Sequence, residues 1–281
     1  MAMTLDRIKS VFIVPGTAGT APSAAVAAGM ALAARAQASA AVMAAAPALS
    51  LGHALLGRLA ADLVAGENAA RRDRARAVAG QAGELARALA VDCTLFTPAL
   101  APPDLLLAMA RQSHGHDLCM VDADAAAYVL EAHPAHSLLF SSGRPLLLVP
   151  SGCTAVAPVT RALVAWDGSA RAARALHDAL PLLHGAEVDL LSVTGEKDLS
   201  GALGGEALVP WLARHGVAAR PRLRTVAGGA VADALHAHLE ETAAELLVMG
   251  AFVHARLRQA ILGGVTRAIL ERTPVPTLLS Y

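Results

Sequence analysis

The residues best suited to chemistry lie near the end of the chain, in Gly250-Ala251-Phe252-Val253-His254-Ala255-Arg256-Leu257-Arg258-Gln259-Ala260-Ile261-Leu262-Gly263-Gly264-Val265-Thr266. A buried-looking strand, Glu245 to Met249, precedes this run, and a helix from Thr266 to Leu270 follows it. Such a loop presents unpaired backbone N–H groups at a helix N-terminus, where the dipole favours an anion. Glycine has no Cβ, so Gly250, Gly263 and Gly264 let the backbone approach a phosphate closely. Val265 continues the helix start, Thr266 adds a hydroxyl, and Arg256 and Arg258 add positive charge. The expected chemistry is anion binding. The same glycines also suit a tight strand-to-helix crossover that needs small residues.

A second polar point is Asp167, in Asp167-Gly168-Ser169 after the apolar strand Arg161 to Trp166. A carboxylate there can orient a ligand, and Asp is equally a common turn and cap residue. Ser169 is a good N-cap for the helix after it.

Other chemistries find less footing. His114, His116 and Cys119, with His133 and His136 downstream, are zinc-ligand types, but their spacing matches no zinc pattern and Cys119 lies within an apolar strand. The chain contains no Gly-x-Ser-x-Gly elbow, no Gly-x4-Gly-Lys-Ser/Thr loop and no Gly-x-Gly-x-x-Gly. Ser141-Ser142-Gly143-Arg144 reads as a loop before a strand, and Arg71, Arg72, Arg74 and Arg76 as a solvated helix face.

The elements that must position these residues are written twice. The first copy (1–152) opens with strand Ile8 to Val14, Pro15-Gly16-Thr17 and an alanine-rich helix; the second (158–281) opens with Arg161 to Trp166, Asp167-Gly168-Ser169 and a helix from Ala170. Strands Ser39 to Ala45 and Glu187 to Val193 come next. The middle is a long helix, Leu55 to Ala90, in the first copy and a brief one, Glu206 to His215, in the second. Strands Val91 to Thr97 and Ala219 to Val226 then match each other, as do helices Pro103 to Gln112 and Ala230 to Thr242. The fourth strands align residue for residue, His116-Asp117-Leu118-Cys119-Met120-Val121-Asp122 against Ala244-Glu245-Leu246-Leu247-Val248-Met249-Gly250. Each copy closes with a helix and a proline-led strand, Arg144 to Pro150 and Val275 to Tyr281. Short apolar runs alternating with helices imply parallel strands covered on both faces. The expected fold is α/β, with two tandem, open, doubly wound sheets. Ligands in such sheets bind beyond the strands' carboxyl ends where strand order switches, an edge that includes Asp167, Val193 and the Gly250 loop.

Composition narrows the partners. The 281 residues are 55% hydrophobic but only 3% aromatic, so the core must rest on Leu, Val and Ala. Balanced charge, 23 basic against 23 acidic residues, argues against a nucleic-acid binder. No apolar run approaches the ~18 residues of a membrane span. The short apolar run ending at Pro15 is too brief for a signal peptide. Three scattered cysteines without a C-x-x-C fit a reducing cytoplasm.

The pattern resembles the universal stress protein family in its tandem, two-domain form, a Rossmann-like fold akin to the adenine nucleotide alpha hydrolases. The carriers are Ala165-Trp166-Asp167-Gly168-Ser169, Leu246-Leu247-Val248-Met249-Gly250, Leu262-Gly263-Gly264-Val265-Thr266 and Thr273-Pro274-Val275-Pro276. The nucleotide-binding fingerprint of that family is Gly-x2-Gly-x9-Gly-Ser/Thr, whose first glycine falls on Gly250 and third on Gly263. Val253 stands at the second glycine and Gly264 at the Ser/Thr. If the second position needs a left-handed backbone, a β-branched valine is disfavoured there and the site is weakened. The resemblance also implies an acidic residue near adenine and ribose, here Asp167, and a backbone contact to the base around Val193. It thus implies ATP held weakly by the second copy, with no metal beyond nucleotide-bound Mg, and binding in stress response rather than catalysis. A slow ATP hydrolase would need a water-positioning base, and none is identified. In the first copy Asp122-Ala123-Asp124 stands where glycines would be needed, so that copy is expected not to bind ATP. Family members commonly pair through their closing strands, which implies a homodimer or an intrachain pseudo-dimer. The alternative is a ligand-free protein–protein interaction module with an unidentified protein partner.

Overall fold

The computed structural model describes residues 5–16, 23–49, 58–123, 133–195, 203–226, 231–251, 253–254 and 261–281. In the first half, β1 (Ser10–Val14), α1 (Ala24–Ala36), β2 (Ser39–Met43), α2 (Arg58–Ala88), β3 (Cys93–Phe96), α3 (Pro102–Ser113), β4 (Leu118–Asp122), α4 (Pro134–Ser141) and β5 (Leu146–Val149) follow in turn. The second half runs β6 (Arg161–Ala165), α5 (Ala170–Leu183), β7 (Glu187–Thr194), α6 (Val209–Arg214), β8 (Ala218–Thr225), α7 (Val231–Thr242) and β9 (Leu246–Gly250). It ends with β10 (Val253–His254), β11 (Ile261–Leu262), α8 (Gly264–Glu271) and β12 (Thr277–Ser280).

The strands alternate with helices because their apolar residues suit burial on both faces. Val11 and Ile13 of β1 enter one core layer, with α1, α5 and the end of α2. Phe12 and Val14 enter the other, with α3, α4, α7 and α8. This two-residue period on a sheet with helices on each side is the doubly wound arrangement.

Strand order is β3-β2-β1-β4-β5 in the first half and β8-β7-β6-β9-β12 in the second. The halves repeat one another in detail. Pro145 and Pro276 lack N–H groups, yet their carbonyls accept from Cys119 N at 2.9 Å and Leu247 N at 3.0 Å, continuing matching ladders. Asp117 accepts from the N–H groups of Lys9 and Ser10, and Glu245 from that of Thr160, so each carboxylate ties down the start of its half's first strand.

One feature differs from two separate sheets. β5 and β12 pair antiparallel, Leu147 opposite Leu278, and fuse the halves into a single ten-stranded sheet. The closing strands therefore meet each other within one chain, and the outer strands are β3 and β8. The β8 edge carries Pro221, which removes a ladder donor, and Arg220 and Arg222, paired with Glu187 and Asp189. Proline and charge are the usual protection of an edge strand.

The long helix reaches beyond the sheet. Its buried stripe is Ala75, Ala79, Ala82 and Ala86, whereas Leu63 is 67% exposed. Arg71 and Arg74 both donate to Glu67, and Arg76 donates to Asp73, so much of the arginine run is spent on pairs within its own helix. Among the described residues no helix is long and apolar enough to cross a membrane.

Candidate functional site

Three neighbouring strands deliver the expected ligand residues to one edge. At the end of β6, Ala165 lies opposite Leu191 of β7 on one side and Met249 of β9 on the other. Trp166 N extends the first pairing by donating to Leu191 O at 2.9 Å. Asp167, Val193 and Gly250 thus gather at or just beyond the carboxyl ends of β6, β7 and β9, where strand order reverses.

Each residue there also has a local structural job. Asp167 Oδ1 accepts from Ser169 N at 3.1 Å across Gly168, whose φ of +71° favours glycine. Ser169 Oγ then caps α5 by accepting from Ala172 N at 3.1 Å. Val193 is half-buried and packs against the core layer of α7 and α8. At Gly250 an added Cβ would lie 2.6 Å from Ala172 N and 2.6 Å from the Arg171 carbonyl carbon. Glycine is therefore required at that position so that the start of α5 can press onto the end of β9.

The crossover from Gly250 to Gly263 contains a small hairpin. Val253 pairs with Leu262 and His254 with Ile261, antiparallel. Val253 thus lies in a strand, an extended setting that β-branched residues favour. The left-handed backbone considered from sequence is not adopted. Phe252 and residues 255–260, with Arg256 and Arg258, lie outside the described residues.

Helix α8 begins at Gly264, two residues before the start expected from its apolar pattern. Gly263 is its N-cap, extended, and supplies no side-chain hydrogen bond. Gly264 is exposed, and nothing lies within 4 Å of a Cβ added there. Val265 is half-buried, while Thr266 is only 1% exposed, so its hydroxyl faces the interior. Of Gly263, Gly264, Val265 and Thr266 only Gly264 is exposed, and the N-cap Gly263 supplies no side-chain cap.

The first half presents the opposite. Asp122, aligned with Gly250, sends one carboxylate oxygen to Gly16 N at 2.7 Å and the other to Ala25 N at 2.8 Å. Its own carboxylate sits at the α1 N-terminus, where an anion would be drawn. Helix α4, the counterpart of α8, has Pro134 at its start and is capped by His133, whose Nδ1 accepts from Ala135 N at 3.1 Å. Neither helix start is left bare.

The histidines and cysteines of zinc-ligand type have separate occupations. His116 Nδ1 lies 2.6 Å from Ser10 Oγ and stacks on Phe12; burial lowers its pKa, with Asp117 pulling the other way. His114 contacts the Ser141 carbonyl, and His136 packs edge-on against Phe140. Burial pushes the Cys119 thiol up to about 12 and the Cys93 thiol to about 11, so neither offers a thiolate. Among the described residues no group of three or more His, Cys, Asp or Glu could hold a metal ion.

Several contributors escaped sequence reasoning. Trp166 is buried and donates through Nε1 to Leu203 O at 2.7 Å, holding Leu203 beside the edge. Buried His238 donates through Nε2 to Asp189 Oδ2 at 2.8 Å, and Arg222 donates through Nε to Oδ1 of the same carboxylate at 3.3 Å. Only the alignment of Asp117 with Glu245 hinted at a paired role.

A repeated, doubly wound α/β half with polar residues at the switch point defines the class: a Rossmann-like α/β fold. The sequence profile described as "Universal stress protein family" matches residues 158–280, and this second half belongs to that family. A universal stress protein from Archaeoglobus fulgidus DSM 4304 superposes with a TM-score of 0.72 at 17% identity, covering 96% of this chain and 95% of that one. A functionally unknown protein from Pseudomonas aeruginosa PAO1 gives 0.60 at 16% identity, with 98% and 93% covered. At these identities the likeness speaks for the fold, and it extends over both halves. No curated protein sequence matches the chain.

Proposed function

We propose that the second half binds an adenine nucleotide with low affinity at the carboxyl edge of β6, β7 and β9, and that the first half is its structural or regulatory partner. The observation that carries this reading is the contrast between helix starts. Helix α8 begins with Gly263 and Gly264 and has no side-chain cap, whereas α4 begins with a proline and a histidine cap. The backbone N–H groups at the start of α8, where Gly263 supplies no side-chain cap, suit a phosphate, and Asp167 and Val193 stand at neighbouring strand ends for ribose and base. Asp122 gives the first half an internal anion in place of a ligand. Low affinity follows from two facts: Gly250 is committed to packing under α5, and the Thr266 hydroxyl is buried. The ligand would arrive as ATP with its own Mg ion.

Those same two facts favour a second reading, a ligand-free interaction module. Pairing of β5 with β12 supports an intrachain pseudo-dimer under either reading. Mass spectrometry of small molecules that copurify with the native protein tests the choice. An adenine nucleotide supports the first reading; an empty protein that also fails to bind added Mg-ATP supports the second.

A further inference from the structure

A cavity of about 220 Å³ lies at the seam between the halves, lined by residues that precede β4 and β5 and by the middle of α5. Its lining shares no residue with the set Asp167, Val193, Gly250, Gly263, Gly264 and Thr266 described above. The first half contributes Arg7, Asp117 and Arg144, and the second contributes Arg174, His177 and Asp178. The two carboxylates are already engaged. Asp117 Oδ2 accepts from Lys9 N at 2.8 Å and Ser10 N at 3.1 Å; Asp178 Oδ2 accepts from Arg174 Nε at 3.0 Å and Ser280 Oγ at 2.9 Å.

The cations have donors to spare. Arg144 spends one N–H on the His114 carbonyl at 2.8 Å, and Arg174 adds one weak bond to the Gly143 carbonyl at 3.3 Å. Among the described residues Arg7 and His177 make no side-chain hydrogen bond or ion pair. Three guanidiniums therefore face two satisfied carboxylates, a fixed excess of one positive charge before His177 is counted. Guanidinium forks match the tetrahedral oxygens of a phosphoryl group and bind it in bidentate fashion. The volume falls below the ~300–1,000 Å³ typical of sites for drug-sized ligands, which limits the occupant to a small molecule.

We propose that this seam cavity is a binding site for a small phosphoryl anion, of the size of pyrophosphate or a short phosphomonoester, held jointly by Arg7 and Arg144 of one half and Arg174 and His177 of the other. Because both halves contribute donors, occupancy ties them together beyond the β5–β12 pairing.

The test is calorimetric titration of the full-length protein with inorganic pyrophosphate at low salt, alongside Arg7→Ala, Arg144→Ala and Gly264→Asp. The expected result is saturable binding, weakened at least tenfold in each arginine variant and unchanged in Gly264→Asp, with a rise in Tm on saturation. Arg7 and Arg144 are exposed, so their truncation leaves the fold intact, which circular dichroism verifies. Absence of binding, or binding equally strong in both arginine variants, overturns the proposal. Loss of binding in Gly264→Asp alone would instead assign pyrophosphate to the α8 N-terminus and also overturn it.

Discussion

Asp122 and Gly250 end the matching fourth strands of the two halves and meet the facing helix in opposite ways. Asp122 reaches across with its carboxylate to Ala25 N at the start of α1. Gly250 has no side chain, and the backbone of Arg171 and Ala172 at the start of α5 occupies the space. One half fills the helix start with an anion of its own; the other closes the gap by direct packing.

Removing that internal anion should cost stability. Asp122→Ala leaves Gly16 N and Ala25 N without their acceptor. Loss of a cap of this kind costs about 1–2 kcal/mol, read as a lower midpoint in urea denaturation. Asp122→Asn keeps one acceptor oxygen and should fall between the variant and the parent.

The two crossover glycines should respond in opposite senses. Gly250→Ala forces a methyl into backbone atoms 2.6 Å away and should destabilise by about 1–3 kcal/mol or more. Gly264→Ala meets nothing within 4 Å at a helix start and should be neutral or stabilising by up to about 1 kcal/mol. Thermal melts of the two single variants check this; equal losses would contradict the packing role assigned to Gly250.

The Glu245 carboxyl is held below its ordinary value of 4.5, first by the Thr160 N–H and further by the Thr160 hydroxyl and Arg161, against opposing desolvation. A depressed folded pKa contributes stability that is present above the unfolded value and lost as pH falls through the folded one. Urea midpoints measured from pH 6 downward should therefore drop below about pH 4.5 more steeply in the parent than in Glu245→Gln. Parallel profiles would contradict the linkage.

His238 is buried; its Nε2 meets Asp189, and its Nδ1 has no partner among the described residues. Asp189→Ala removes the one ring contact and should cost about 1–3 kcal/mol, the penalty for a stranded buried polar group. Adding His238→Leu should restore part of that loss. A double-mutant cycle with strictly additive costs would show that the two residues do not act together.

Periodicity made most of the fold legible before any coordinates. Apolar strands such as Val11 to Val14 and Leu246 to Met249 announce themselves, and proline-led closing strands mark the end of each repeat. The β10–β11 hairpin was not legible, because two-residue strands have no pattern to read. The start of α8 was misjudged because Gly263 and Gly264 are poor helix formers, yet a helix start tolerates them where an interior does not. Fusion into one sheet was also hidden, since pairing of Leu147 with Leu278 joins residues far apart in sequence. At the site, residue types pointed to one edge, where neighbouring strands do bring Asp167, Val193 and Gly250 together, but not to their occupations. Gly250 looks the same in sequence whether it cradles a phosphate or admits a helix, and only the 2.6 Å approach distinguishes the two.

The most direct test of the nucleotide reading is calorimetric titration of Mg-ATP into the full-length protein and into Gly264→Asp. An added carboxylate at the first turn of α8 has open space, favours the helix dipole and repels phosphate. The account predicts weak, saturable binding to the parent and at least tenfold weaker binding to the variant, with Tm held or raised. No binding to the parent, or equal binding by both proteins, would contradict it.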